Sequence, residues 1–284
     1  MEFSLKRAWA VSIYEFKWDV KKSKVIFALG LVVTIAILGA ISYRTFAGNS
    51  VSSGTGYLWD SIIVVITNDF LSGVFPMVLG GLIAVDSLAW EFDKGTILPL
   101  MAQPLTRAEI YFGKVLEKFL LLLGISLLIV GIVLGLAEAV AGTQNYLLWT
   151  VPVALAFMLE LMVFASLSIF LGSIIKSSGF TIIALLAAFF ALLIATIIAQ
   201  IKLGFQLWIT FVPLANVNLI QGSLNAYFRN PAAELPVNYN VGGVSGVSYV
   251  PASLVLSYSL LGVLLSIVIF IAMGYAVFRK SEVR

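Results

Sequence analysis

Three carboxylates stand where water is scarce. Asp69, Asp86 and Glu160 fall within or near strongly apolar runs, and an ionised group at a bilayer centre costs at least ~2.5 kcal/mol. No Lys or Arg lies at matching depth to pair with them. Glu160 is the deepest, so it is protonated or faces a watery cavity or a subunit interface. It serves a translocation path or a structural hydrogen bond. Asp86, near the inner end of its run, tunes the adjoining loop or reaches the headgroups. Asp69, beside Asn68, marks an outer end. Met158 and Met162 flank Glu160, but two methionines four apart on a helix are far more often packing than soft-metal ligands.

Other chemistries are closed. The chain has no cysteine and no histidine, which removes disulfides, thiolate nucleophiles, the commonest metal ligand and the commonest general base. Intramembrane serine or zinc chemistry lacks its residues. Asp69 and Asp86 sit near opposite ends of one apolar run and cannot share a proton as a protease pair would. There is no G-x-x-x-x-G-K-[ST] phosphate loop, so no ATP and Mg site is expected on this chain, nor any other cofactor or metal.

The elements that carry these residues follow from hydropathy. The sequence is 61% apolar and 11% charged, with a mean hydropathy of +1.07, too few charges to cover a globular surface. Lipid must be the solvent for much of it. A span needs roughly 20 apolar residues, and six runs meet that demand, at 25–43, 70–90, 119–140, 148–175, 180–201 and 254–278. The expected fold is an all-α integral membrane protein of six transmembrane helices.

Charge sets the orientation. Of the 17 basic residues, only Arg44, Lys202 and Arg229 fall on one side; the rest flank the other, which is therefore cytoplasmic and holds both termini. These residues cluster beside apolar runs rather than on a soluble face, which argues against nucleic acid as a partner. Trp59, Trp149 and Trp208 at the outer boundary and Trp9, Trp18 and Trp90 at the inner one agree with this layout.

Residues 1–24 carry acids among the lysines and do not read as a signal peptide. Leu5, Trp9, Ile13, Phe16 and Val20 share one helical face, with Arg7, Glu15 and Lys22 opposite. An amphipathic helix along the inner interface is expected, the alternative being a soluble helix packed on a partner. The six-span domain then occupies 25–284, with an inner loop at 91–118 and an outer cap at 202–253. Within the cap, 241–250 reads as a Gly/Ser-rich turn region.

The inner loop is the most informative segment. Thr96 can cap a short helix over 97–103, which Pro104 stops. Thr106 and Glu109 form a capping box that starts the helix leading into the third span. The short helix is expected to offer Ile97, Leu98, Leu100 and Met101 to the cytosol. So short a helix is marginal alone. It either lies in a groove of another protein or dips back into the bilayer interface.

Glu91, Lys94, Gly95, Thr96, Ile97, Leu98, Leu100, Gln103, Pro104, Thr106, Arg107, Glu109, Gly113 and Lys114 stand in an order and spacing that resemble the signature of the type-2 ABC exporter permease family. Pro99 departs from it, standing where the family often has an acidic residue. The interfacial amino-terminal helix, the six spans and the enlarged last outer loop are similar to that family throughout. The resemblance implies a membrane-spanning permease subunit in the cell (plasma) membrane, paired with a second permease copy, a homodimer in the simplest case. It implies export driven by ATP hydrolysis on a separate ABC ATPase subunit. Residues 95–103 would form the coupling helix in the ATPase cleft, with Glu91, Gly95, Thr96, Ile97, Leu98, Leu100, Met101, Pro104 and Arg107 as coupling residues. The loop at 172–179 resembles the family's second ATPase contact, through Lys176 and Ser177. A proton-coupled secondary transporter built on Glu160 and Asp69 is the other reading, but it would leave the inner loop no partner to serve.

Overall fold

A computed structural model describes residues 3–21, 30, 33–34, 37, 74–141, 150–203, 223–224, 226–227, 230–241 and 244–281. Helix α1 (Leu5–Asp19) precedes α2 (Val74–Lys94), the five-residue α3 (Ile97–Met101) and the long α4 (Arg107–Ala141). Then come α5 (Thr150–Ile175), α6 (Ser178–Leu203), strands β1 (Glu234–Val241) and β2 (Val244–Pro251), and α7 (Ala252–Lys280). The first expected span, at 25–43, and Asp69 lie almost wholly or entirely outside the described residues.

Among the described residues, four helices are long and apolar enough to cross a bilayer, within α4, α5, α6 and α7. They cover the expected third to sixth spans. Helix α2 covers most of the expected second and carries Asp86, Glu91, Asp93 and Lys94 toward its carboxyl end. Helix α5 is the axis of the bundle. It packs against α2, α4, α6 and α7, and its most apolar stretch is 78% buried against 22% for α6. Two equally apolar helices thus meet different solvents: protein surrounds α5, while α6 turns Phe180, Ile183, Phe190 and Ile194 outward.

Glycine sets how closely α2 meets α5. A Cβ at Gly80 would lie 2.3 Å from the Leu161 carbonyl oxygen, so only glycine permits this approach. Lower down, Gly172 of α5 faces Ala89 of α2. The two helices run in the same direction, joined along a seam of small residues of the kind that lets membrane helices pack closely.

The outer cap differs from expectation. Where turns were expected at 241–250, β1 and β2 form an antiparallel hairpin in which Glu234 pairs with Pro251 and Val241 with Val244. Alternation of Val237, Tyr239 and Val241 favours extended backbone. The two residues between the strands are Gly242 and Gly243, a composition that tight hairpin connections prefer.

Candidate functional site

The inner ends of α1, α2 and α4 are joined by charge. Lys114 Nζ of α4 donates to Glu15 Oε1 of α1 at 2.9 Å and to Glu91 Oε1 of α2 at 2.5 Å. One turn on, Lys118 pairs with Asp19 of α1 and, at 3.1 Å, with Glu117. Both lysines are almost wholly buried. Burial without partners would be prohibitive, so the ladder fixes which turn of α1 meets which turn of α4.

Glu109 ties the start of α4 to both α1 and the inner loop. Its Oε1 accepts from the Ser4 amide at 2.7 Å and from Arg7 Nε at 2.8 Å. Its Oε2 accepts from the Thr106 amide at 2.8 Å, while Thr106 Oγ1 accepts from the Glu109 amide at 3.3 Å. The expected capping box is therefore present, and its acid does more than cap. Next to it, a Cβ at Gly113 would lie 2.9 Å from the Ala8 carbonyl oxygen, so glycine lets α1 settle against α4.

This packing shows which side of α1 meets the rest of the chain. The face against the protein is the small and charged one, with Ala8, Val11, Ser12 and Asp19 buried. Most of the apolar stripe, including Leu5, Trp9 and Val20, remains exposed. In a membrane chain that stripe belongs to lipid, so the amphipathic pattern runs opposite to that of a soluble helix. Helix α1 follows the first turns of α4 in the same direction.

Helix α2 ends at Gly95, whose φ of +68° places it in the left-handed region that glycine adopts without cost. The chain then turns into α3, which ends at Met101 rather than at Gln103. Pro104 accounts for the early stop by pushing the residues before it out of helical geometry. Ile97 is buried at 1% exposure, and Leu100 and Met101 are half-buried against the same core. The expectation that Ile97 faces the cytosol is thus wrong: so short a helix needs an anchor, and Ile97 supplies it. The outward side of α3 and its exit carry Pro99, Ala102, Gln103 and Pro104.

The α5–α6 turn meets the same end of α2. Lys176 adopts φ 57°, and its Nζ lies 5.2 Å from the centre of the Phe92 ring. Ser178 Oγ donates to Asp93 Oδ2 at 2.9 Å. Ser177 caps the next helix, its carbonyl accepting from the Thr181 amide at 3.0 Å. The two inner segments singled out by the sequence are therefore joined through α2. Residues 9–283 match the family model described as ABC-2 family transporter protein. The chain belongs to this family. No curated protein matches it.

Membership of the ABC-2 family makes the chain a multi-pass membrane component of a transporter, and such a component is generally not itself catalytic. Between α1, α2 and α3 lies an open groove of about 530 Å³ whose walls include Tyr14, Trp18, Asp86, Trp90, Pro99 and Leu100. Thr96 lines it too, and Arg7, Glu15 and Glu91 bring charge to it. Asp86 thus stands beside the residues of the inner loop.

Glu160 lies elsewhere. It is 1% exposed within α5, close to the level of the Gly80–Leu161 contact, whereas Asp86 lies roughly 9 Å further along α2. Glu160 and Asp86 do not form one site, and the groove does not reach Glu160. Among the described residues no cluster of acids has the makings of a metal site.

Sequence reasoning read Lys118 only as an inner-flank charge and Lys114 as part of the loop signature, and it missed their pairing with α1. The signal was a matched spacing. Glu15 and Asp19 stand four apart on one helix, and Lys114 and Lys118 stand four apart on another, so two parallel helices can pair them turn for turn.

Proposed function

We propose that this chain is the permease subunit of an ABC exporter in the cell membrane, with α3 as the coupling helix seated in a separate ATPase subunit. Both termini face the cytosol, six helices span the bilayer, and a second copy completes the translocation unit. ATP and Mg are held and hydrolysed on the partner. The supporting observation is the way α3 is mounted. A five-residue helix cannot hold its own shape, yet this one is anchored by Ile97 and flanked by helix ends that salt bridges and capping bonds fix in place. Its outward surface is left for a partner. Pressure on that surface is passed directly to α2 and α4, and an ATPase can bias the membrane domain between two states through them.

The test targets the outward positions. Pro99→Asp together with Ala102→Asp places two charges where an ATPase cleft would close, while leaving the buried Ile97 in place. Membrane insertion is expected to survive, and an ATPase that co-purifies with the native chain is expected to be lost. Equal ATPase recovery from native and variant would reject the coupling assignment. Orientation is checked separately, in a chain without native cysteine. An impermeant thiol reagent should reach Tyr249→Cys in intact cells and Lys280→Cys only after the membrane is opened.

A further inference from the structure

The first residue of α4 does not point toward a partner. Arg107 Nη1 donates to the carbonyl oxygens of Arg279 at 2.7 Å and Ser281 at 2.9 Å, where α7 ends. The last carbonyls of a helix have no partner within it, and a single terminal nitrogen of the guanidinium, fixed in the plane of that rigid group, donates to both oxygens. One turn further along α4, Tyr111 Oη donates to the Ile271 carbonyl at 2.9 Å. A Cβ at Gly274 would lie 2.4 Å from that hydroxyl, so the position requires glycine. The Tyr111 ring lies 5.7 Å from Phe278, and the Phe112 ring 5.3 Å from Tyr275. The joint spans about three turns of α7 and begins at the residue where the inner loop enters α4.

We propose that Arg107 is a positioning residue that makes the inner end of α7 move with the coupling loop, so that the last span is driven from α4 and not directly by the ATPase. This rests on the coupling reading given above and extends it: Arg107 is assigned to a contact inside the chain. Helix α7 packs on α5 along much of its length, and the Arg107 joint adds a second attachment at its inner end. Displacement of the α3–α4 corner therefore reaches α7 without passing through α5.

The test uses paired spin labels at Lys94→Cys, beside the coupling loop but outside the surface assigned to the ATPase, and Lys280→Cys, both exposed positions. With the co-purified ATPase present, the native chain should give one narrow distance distribution, unchanged between the nucleotide-free state and a non-hydrolysable ATP analogue. Arg107→Gln should keep the ATPase, widen the distribution severalfold and make it depend on nucleotide. Arg107→Lys should do the same in smaller measure, and it carries the comparison if the glutamine variant fails to insert. An unchanged distribution in these variants would overturn the proposal. So would a native distance that shifts with nucleotide, because the joint would then break during the cycle. Loss of the ATPase from Arg107→Gln would place Arg107 on the partner and overturn it as well. If the native chain recovers no ATPase, the coupling reading fails by itself. The widening on Arg107→Gln, measured on the chain alone in lipid nanodiscs, still decides whether the joint exists.

Discussion

The inner joint of α1 with α4 and the mid-membrane seam of α2 with α5 achieve close packing by opposite means. At the inner joint, buried lysines meet carboxylates on neighbouring helices. At the seam, Gly80 removes the side chain altogether, so that backbone meets backbone. Each suits its surroundings. At the inner joint the lysines are almost wholly buried, so each must keep its carboxylate and the register is fixed. At the seam, contacts between small residues hold without any polar partner. The two joints thus divide the work: a register fixed by charge at one end, and close packing without polar partners along the seam.

The largest effect should come from the charged joint. Lys114→Met removes the ammonium that Glu15 and Glu91 share, and breaking a buried pair costs about 3–5 kcal/mol. The thermal midpoint of the purified protein should fall sharply. Adding Glu91→Gln should recover part of the loss, since one of the stranded charges is then gone. A double variant no better than the single one would show that the ladder does not act as a charge network.

Next is the seam. Gly80→Ala forces α2 away from α5 and should cost about 1–3 kcal/mol, as overpacking does. Gly124→Ala is the control, because a Cβ there meets nothing within 4 Å. It should be neutral or slightly stabilising, Ala being the better helix former by about 1 kcal/mol. Equal midpoints for the two variants would mean that the seam is not tight.

The smallest effect is expected at the α5–α6 turn. Lys176→Gly removes left-handed strain of about 1 kcal/mol and also a ring contact worth about 0.5–1 kcal/mol at an exposed site. The two nearly cancel. Lys176→Ala keeps the strain and loses the contact, so it should be the less stable of the pair. The reverse order in thermal midpoint would show that position 176 carries no left-handed strain, since both variants lose the Phe92 contact.

The same comparison explains what could be read from the sequence. Helices α4 to α7 were legible because about 20 apolar residues in a row leave few alternatives. The Thr106–Glu109 box was legible because its partners stand three residues apart. The charge ladder was not, because Lys114 and Glu15 lie 99 residues apart and inner-flank lysines are expected for topology alone. The orientation of α1 was open for a related reason: an apolar stripe marks the buried face only when water is the solvent. The hairpin was obscured by its glycines and serines, which also compose loose turns. The anchor Ile97 was obscured because an apolar residue on a short helix reads the same whether it faces a partner or its own core.

The hairpin meets α7 without a linker. Strand β2 ends at Pro251 and α7 begins at Ala252, whose amide donates to the Ala233 carbonyl at 2.8 Å. Strand β1 packs in turn against α6. The hairpin therefore straps the ends of two helices together: any change in the angle between α6 and α7 has to be taken up by its paired strands.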